Sequence, residues 1–229
     1  MGCSSGPEII LDNLVLHLDA VNGRSYSGTG TTWIDAIAGA IKTSISSATY
    51  AGTGVTSSFL FNGTSGSVDA TNDSNLKTTT NWSIGFWMLP KSYGQSSNGV
   101  IYQLGTGSGS GFRVTTNGAA GVTGLVLNTY SGTGYTAVAT NIINFHRWQH
   151  ICLAFNNGTL TWYKNGSSIG TSSITSPSAA AGSMNAYVGN NSAGNLTFNG
   201  NISQFRFYKN TLSPSEVLKN YNSTKGRYR

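Results

Sequence analysis

Charged side chains are scarce in this sequence of 229 residues. Asp, Glu, Lys and Arg make up 9% of it, against roughly 25% in an ordinary soluble domain. Because the exposed faces of long helices carry many Lys and Glu, this scarcity argues against a helical protein. The chain instead has 30 glycines and 11% aromatic residues, a composition that favours short strands joined by tight turns.

Long apolar runs and a secretory leader are also missing. No stretch approaches the ~18 apolar residues of a membrane-spanning helix. The first residues lack the basic and apolar regions of a signal peptide. We therefore expect no membrane insertion, and we interpret residues 1–8 as a flexible leader before a single domain over residues 9–229.

Cysteine occurs twice, at Cys3 and Cys152, which is too few for a disulfide framework. Cys152 lies in the apolar run ICLAF and is expected to be a small buried side chain. A chain of this length buries enough surface to fold without covalent cross-links.

Catalytic groups are sparse as well. Glycoside hydrolysis needs two carboxylates on either side of one bond, and no predicted strand carries two of the seven Asp and Glu residues at alternating positions. His146 and His150 would lie roughly 13 Å apart along an extended strand, too far apart to hold one zinc ion. We expect no catalytic residues and a protein that is not an enzyme.

The formal net charge is +6, and it has two interpretations. A nucleic-acid interface would need denser Lys and Arg interleaved with aromatic residues, so we expect no nucleic-acid partner. The charge then serves solubility, or the basic residues near the end of the sequence contact an anionic partner. Those residues are Lys209, Lys219, Lys225, Arg227 and Arg229.

Alternating apolar residues separated by glycine or asparagine predict about a dozen strands. Asn157-Gly158 and Asn165-Gly166 are strong hairpin turns, and together they predict a three-stranded antiparallel meander. Residues 213–216 form a capping box that starts a short helix near the end of the chain. Such a pattern indicates a sandwich or a barrel. The predicted strands are 9–18, 59–61, 82–89, 100–104, 112–115, 125–130, 135–139, 148–155, 160–164, 167–169, 186–189 and 202–208.

Two groups of residues are candidates for binding. Asp69, Asn72 and Asp73 lie close together in sequence and offer the oxygen ligands that calcium prefers, although ordinary Asx turns would use the same residues. Three tyrosines next to glycine-rich loops offer flat faces to a glycan or a protein partner, or they pack at the bases of those loops. They are Tyr93, Tyr130 and Tyr135.

Several segments, in this order, resemble the laminin-G-like, concanavalin-A-like jelly roll. They are FLFNG at 59–63, WSIGFWMLP at 82–90, WQHI at 148–151, LTWYKNG at 160–166, GNISQFRFY at 200–208 and LSPSE at 212–216. Trp148, Asn165 and Gly166 are structural motif residues of this resemblance. The resemblance implies an all-β, concanavalin-A-like jelly-roll β-sandwich with a short C-terminal helix.

The resemblance also bears on calcium. Relatives often carry Asp where Asn62 stands and acidic residues where Ser65 and Gly66 stand, and calcium-binding members use those carboxylates. Because this sequence lacks them, we expect no cofactor.

The first part of the sequence narrows the resemblance. LVLHLDA at 14–20, Ser25-Tyr26 and GTTWID at 30–35 resemble the opening of laminin-G-like proteins from tailed bacteriophages. Asp19 and Asp35 would be structural residues that hold turns and backbone amides near Trp33.

The phage resemblance implies a virion protein that is assembled in the host cytoplasm. It would be a capsid decoration, fibre or tail component that contacts other virion proteins and copies of itself, and it would bind host-surface glycans. Two alternatives remain open, a stand-alone bacterial carbohydrate-binding module and a degenerate glycoside hydrolase. A virion component would co-purify with particles, a lectin would bind glycans alone, and a hydrolase would need two carboxylates in a cleft.

Overall fold

Two antiparallel eight-stranded sheets pack face to face, as the alternating pattern predicts. The computed structural model describes residues 8–37, 41–105, 109–118, 123–179 and 184–228. Residues 1–7 of the predicted leader, with Cys3, lie outside the described residues. The predicted β-sandwich with a short helix near its end is confirmed.

Sixteen strands, one α-helix and four 3₁₀ helices make up the regular structure of the described residues. The 3₁₀ helices are Gly54–Thr56, Ser74–Leu76, Gln95–Ser97 and Lys225–Arg227. The strands are β1 Leu14–Asp19, β2 Thr32–Ile34, β3 Lys42–Ser46, β4 Thr49–Ala51, β5 Ser58–Asn62, β6 Ser67–Asp69, β7 Asn81–Pro90, β8 Val100–Leu104, β9 Ser110–Asn117, β10 Gly124–Ser131, β11 Thr133–Ala139, β12 Gln149–Asn156, β13 Thr159–Lys164, β14 Ser167–Ser173, β15 Ala186–Val188 and β16 Asn199–Tyr208, and the helix is α1 Pro214–Asn222.

The strand order differs from the chain order in both sheets. The front sheet runs β11-β10-β9-β8-β15-β6-β3-β2, and the back sheet runs β14-β13-β12-β7-β16-β5-β4. In the back sheet, β5 pairs with the first part of β16 and β1 pairs with the rest. A register shift between Ile202 and Gln204 bends β16 where these two partners meet.

The core lies between the sheets because alternate residues of each strand point inward. In β7, Trp82, Ile84, Phe86 and Met88 are all buried in this core. The indole of Trp82 stacks 4.2 Å from the ring of Phe112, which belongs to the front sheet. Aromatic contacts of this kind join the two sheets and contribute about 0.5–1.5 kcal/mol each beyond the area they bury.

The predicted meander is present. Asn157 and Gly158 have φ of 39° and 95°, and Asn165 and Gly166 have φ of 50° and 82°. Two consecutive residues with positive φ give the I′ turn that matches the twist of a hairpin. Strands β12, β13 and β14 are therefore consecutive neighbours in the back sheet.

Two features of the strand prediction were wrong. The predicted strand 9–18 begins only at Leu14, because the backbone N–H of Ile10 donates to Oδ1 of Asn220 and Asn13 turns the chain at φ 55°. Strands β2, β3, β4 and β6 were missed, since they are short and their outward positions are mostly polar.

A second apolar cluster lies on the outer face of the back sheet. Helix α1 contributes Val217, and the first described residues contribute Ile9 and Ile10. Further along, the ring of Tyr228 stacks 4.0 Å from Trp87 of β7, and Trp148 lies 5.0 Å from the same tyrosine. Both described ends of the chain therefore pack on this one face.

No helix in the described part of the chain is long and apolar enough to cross a membrane.

Candidate functional site

A row of polar side chains crosses the outer face of the front sheet. Its members are direct partners in neighbouring strands, so their side chains share one face. The inward neighbours on the same strands, such as Val68, Phe112 and Leu127, belong to the core. We call this set the polar row, and in strand order it contains Thr32, Ser44, Asp69, Tyr187, Gln103, Arg113, Asn128 and Thr136.

Asp69 and Tyr187 give one half of the row its charge and its aromatic ring. The carboxylate of Asp69 accepts from Nδ2 of Asn185 at 2.8 Å and from the backbone N–H of Thr71 at 2.8 Å. Burial, and then the charge of Asp69, raises the pKa of Tyr187. The half-buried phenol of Tyr187 therefore keeps its proton and can donate a hydrogen bond.

Gln103 and Arg113 form the enclosed centre of the row. Nε2 of Gln103 donates to the carbonyl of Gly105 at 2.6 Å and to Oγ of Ser192 at 3.2 Å, so the loop after β15 reaches over this point. Among the described residues, Oε1 of Gln103 and Nε of Arg113 are buried without a hydrogen-bond partner. The row thus contains an unused acceptor and an unused donor on two paired strands, although most buried polar atoms in folded proteins have a hydrogen-bond partner.

The three predicted tyrosines have different positions. Tyr130 lies on the same strand and face as Asn128, with its ring beside Gly134. Tyr135 is 38% exposed and lines a groove of about 410 Å³ next to Thr136 at the end of the row. Tyr93 is off the row and packs edge-on against Phe145, with the ring centres 4.9 Å apart.

Two of the three residues considered for calcium, Asp69 and Asp73, accept hydrogen bonds within short-range turns. Asp69 accepts from Thr71 as described, and Asp73 accepts from the backbone N–H of Asn75 at 2.8 Å. Asn72, the third of these residues, also has an interaction partner. No three His, Cys, Asp or Glu side chains in the described ranges lie together in a way that could hold a metal ion.

Asp19 and Asp35 lie away from the polar row. Oδ1 of Asp35 accepts the backbone N–H groups of His17 at 2.9 Å and Ile37 at 3.3 Å. Oδ1 of Asp19 accepts the N–H of Val21 at 2.9 Å. All seven carboxylates of the chain lie within the described ranges, and the polar row contains one of them.

A match to a family profile identifies the family of this chain. The profile described as the concanavalin A-like lectin/glucanases superfamily matches residues 62–218, more than half of the chain. The chain belongs to this superfamily.

Solved structures similar to this superfamily member include sugar-binding and receptor-binding domains. Domain 4 of AbnA, an extracellular arabinanase from Geobacillus stearothermophilus in complex with arabinotriose, aligns with a TM-score of 0.67 at 16% identity over 91% of this chain and 98% of that one. The receptor binding domain of botulinum neurotoxin type G aligns at 0.64 and 17% identity over 92% of this chain and 51% of that one. These identities establish the shared fold alone.

A curated relative is similar in sequence. Adhesion G-protein coupled receptor V1 of Danio rerio is 27% identical over 150 residues, which is 62% of this chain. The chain spans 2% of the length of that receptor.

For this superfamily member, the sequence predicts a binding role for one residue of the row, Asp69, and for Tyr130 beside the row, but for no other member of it. Gln103, Arg113 and Asn128 lie in predicted strands, next to residues whose side chains enter the core, so their own side chains point to the outer face. The signal that they form one row was absent, because it depends on the order in which distant strands pair.

Proposed function

We propose that this chain is a non-enzymatic domain that binds a glycan along the polar row. The observation that carries this proposal is the continuous run of hydroxyl, carboxylate, phenol, amide and guanidinium groups across eight paired strands. Sugar hydroxyls both donate and accept hydrogen bonds, and these side chains supply the matching partners. The half-buried side chain of Arg113 can donate to ligand hydroxyls through its guanidinium group.

The length of the row favours an oligosaccharide. Seven strand spacings of about 4.8 Å give a row of roughly 34 Å, which is enough for several sugar rings. Tyr130 and Tyr187 add aromatic surface for stacking on the apolar face of a ring. The similar fold of an arabinanase domain in complex with arabinotriose supports this choice of ligand by analogy.

The distribution of carboxylates supports binding without catalysis. Hydrolysis needs two carboxyl groups about 5–9.5 Å apart on either side of the bond. Asp69 is the one carboxylate in the row, and both of its oxygens accept from Asn185. We therefore expect no release of reducing sugar from any glycan that binds.

The test is a glycan array followed by calorimetric titration of the isolated chain with the strongest glycan found. We expect saturable binding that Arg113→Ala and Tyr187→Ala each weaken about tenfold or more, because each removes a hydrogen bond to the ligand. Arg147→Ala is the matched control, since Arg147 is exposed and lies outside the row. Absence of array binding, or full binding by both folded row variants, would refute the proposal.

Calcium can be tested in the same titration. We propose that binding requires no cofactor, so a chelator should leave the affinity unchanged. Loss of binding in chelator, with recovery on adding calcium, would instead place an ion beside Asp69, Asn72 and Asp73.

We also propose that the glycan-binding domain is carried on the virion of a tailed bacteriophage. The support is the resemblance of the opening segments, in which Asp19, Trp33 and Asp35 stand at the motif positions. Mass spectrometry of purified particles should then find the chain in fixed ratio to the other virion proteins. Glycan binding by a chain that is absent from particles would favour a stand-alone bacterial carbohydrate-binding module.

A further inference from the structure

A cleft of about 310 Å³ opens on the outer face of the back sheet, opposite the polar row. His17 and Asp19 of β1 and Arg206 of β16 line it from the sheet, and Arg227 lines it from the last described turn. Glu8 is exposed at its rim. This cleft therefore gathers most of the charged groups that the fold buries.

The guanidinium of Arg206 is buried, with 2% of the residue exposed. Its Nη2 donates to Oε1 of Gln204 at 2.8 Å, and its Nε has no acceptor among the described residues. Nε2 of Gln204 in turn donates to Oδ2 of Asp19 at 2.7 Å. Arg206 thus reaches a carboxylate only through a neutral amide.

Asp19 already has a direct cationic partner. Nη1 of Arg227 donates to the same Oδ2 of Asp19 at 2.8 Å. One buried carboxylate therefore serves two guanidinium groups. The Asp19–Arg227 pair helps to attach the last turn to the sheet. Because Asp19 is shared, Arg206 and Arg227 together carry one positive charge more than this carboxylate balances.

His17 adds no charge to the cleft at pH 7. Burial, and then the charges of Arg206 and Arg227, lowers the pKa of His17 well below its usual 6.5, so its imidazole is neutral at pH 7. Nε2 of His17 lies 3.9 Å from Asp19 and has no hydrogen-bond partner among the described residues. A buried guanidinium that shares its only nearby buried carboxylate with a second cation is incompletely compensated, and an anion in the cleft would improve that compensation.

We propose that this cleft binds the oxyanion group of an anionic ligand, a carboxylate or a phosphate, between Arg206 and Arg227. Guanidinium groups match such oxygens in geometry and charge. The site lies on the sheet opposite the polar row, so the proposal does not depend on glycan binding.

The test is calorimetric titration of the full chain with sodium phosphate and with sodium acetate at constant ionic strength, with acetamide as the uncharged probe. We expect saturable binding of at least one anion with one site per chain, and none of acetamide. Tighter binding of acetate would assign the cleft to carboxylated ligands, and tighter binding of phosphate would assign it to phosphorylated ones.

Variants distinguish anion binding in the cleft from a general attraction of anions to this basic protein. Arg227→Gln should weaken anion binding at least about tenfold, while Lys225→Gln, an equal loss of charge on an exposed neighbour, should leave it unchanged. Arg206→Lys, which keeps the charge but removes Nε–H, should also weaken binding if Arg227→Gln does not fold. No saturation by about 10 mM of either anion, or equal weakening by Lys225→Gln, would overturn the proposal.

Discussion

Gly189, just after β15, shows how closely the backbone approaches the core. Its φ is +80°, and a Cβ at this position would lie 2.0 Å from a ring carbon of Phe61. Gly194 has a similar φ of +72°, but a Cβ there would meet no atom within 4 Å. Substituting each glycine by alanine therefore separates the cost of backbone strain from the cost of steric overlap.

We predict that Gly194→Ala lowers the free energy of unfolding by about 1–2 kcal/mol, the usual cost of positive φ. Gly189→Ala should cost about 2 kcal/mol more, because Phe61 must also move within a packed core. Urea unfolding of the two variants measures the difference. Equal losses would mean that Phe61 has room to move.

His150 of β12 makes the stability of the fold depend on pH. The residue is 1% exposed, and burial, followed by the charge of Arg206, lowers its pKa to about 3. In the unfolded chain the imidazole takes up a proton near pH 6.5. The contribution of the neutral His150 to the free energy of unfolding is therefore complete above pH 6.5, and it is lost as the pH falls from 6.5 towards 3.

We predict that the free energy of unfolding falls by about 1 kcal/mol per pH unit below pH 6.5 from His150 alone. His17 acts in the same direction. His150→Gln should reduce the slope, whereas His146→Gln, at an exposed position, should not. Denaturant unfolding between pH 7 and pH 5 measures this slope, and identical slopes for all three proteins would contradict the prediction.

Among the elements, those with local signals could be predicted from the sequence. The meander of β12, β13 and β14 follows from two Asn-Gly turns, because turn chemistry acts over a few residues. Helix α1 follows from its capping box, in which the backbone N–H of Ser213 donates to Oε2 of Glu216 at 2.7 Å. Neither feature depends on the rest of the chain.

Elements fixed by distant partners could not be predicted. β6, with three residues, is held between β3 and β15, and β15 in turn pairs with β8. This order results from how the two inner faces fill the core, which the period of a single strand does not contain. The polar row has the same origin, and for that reason the sequence does not show that Arg113, Gln103 and Asp69 belong to one row.

At the scale of the whole molecule, both sheets share one core. A single buried cluster includes Leu16 and Phe86 of the back sheet and Val68 and Leu125 of the front sheet. Neither sheet can leave this cluster without exposing the inner face of the other. The described strands should therefore unfold together.

We predict one cooperative unfolding transition for the chain. Tryptophan fluorescence, which reports on the contact of Trp82 with Phe112 between the sheets, should change at the same denaturant concentration as far-ultraviolet circular dichroism. This result would support the single domain expected over residues 9–229. Two separated midpoints would instead show that part of the chain folds independently.

Ile10 and Tyr228 both rest on the back sheet, whereas the polar row faces the other way. A resin, a sensor chip or a fused protein joined beyond either of these residues would thus lie on the side of the back sheet, away from the polar row. Immobilised molecules would display Arg113 and Tyr187 towards the solution whichever end is tethered, so two oppositely anchored preparations should capture soluble ligand equally well.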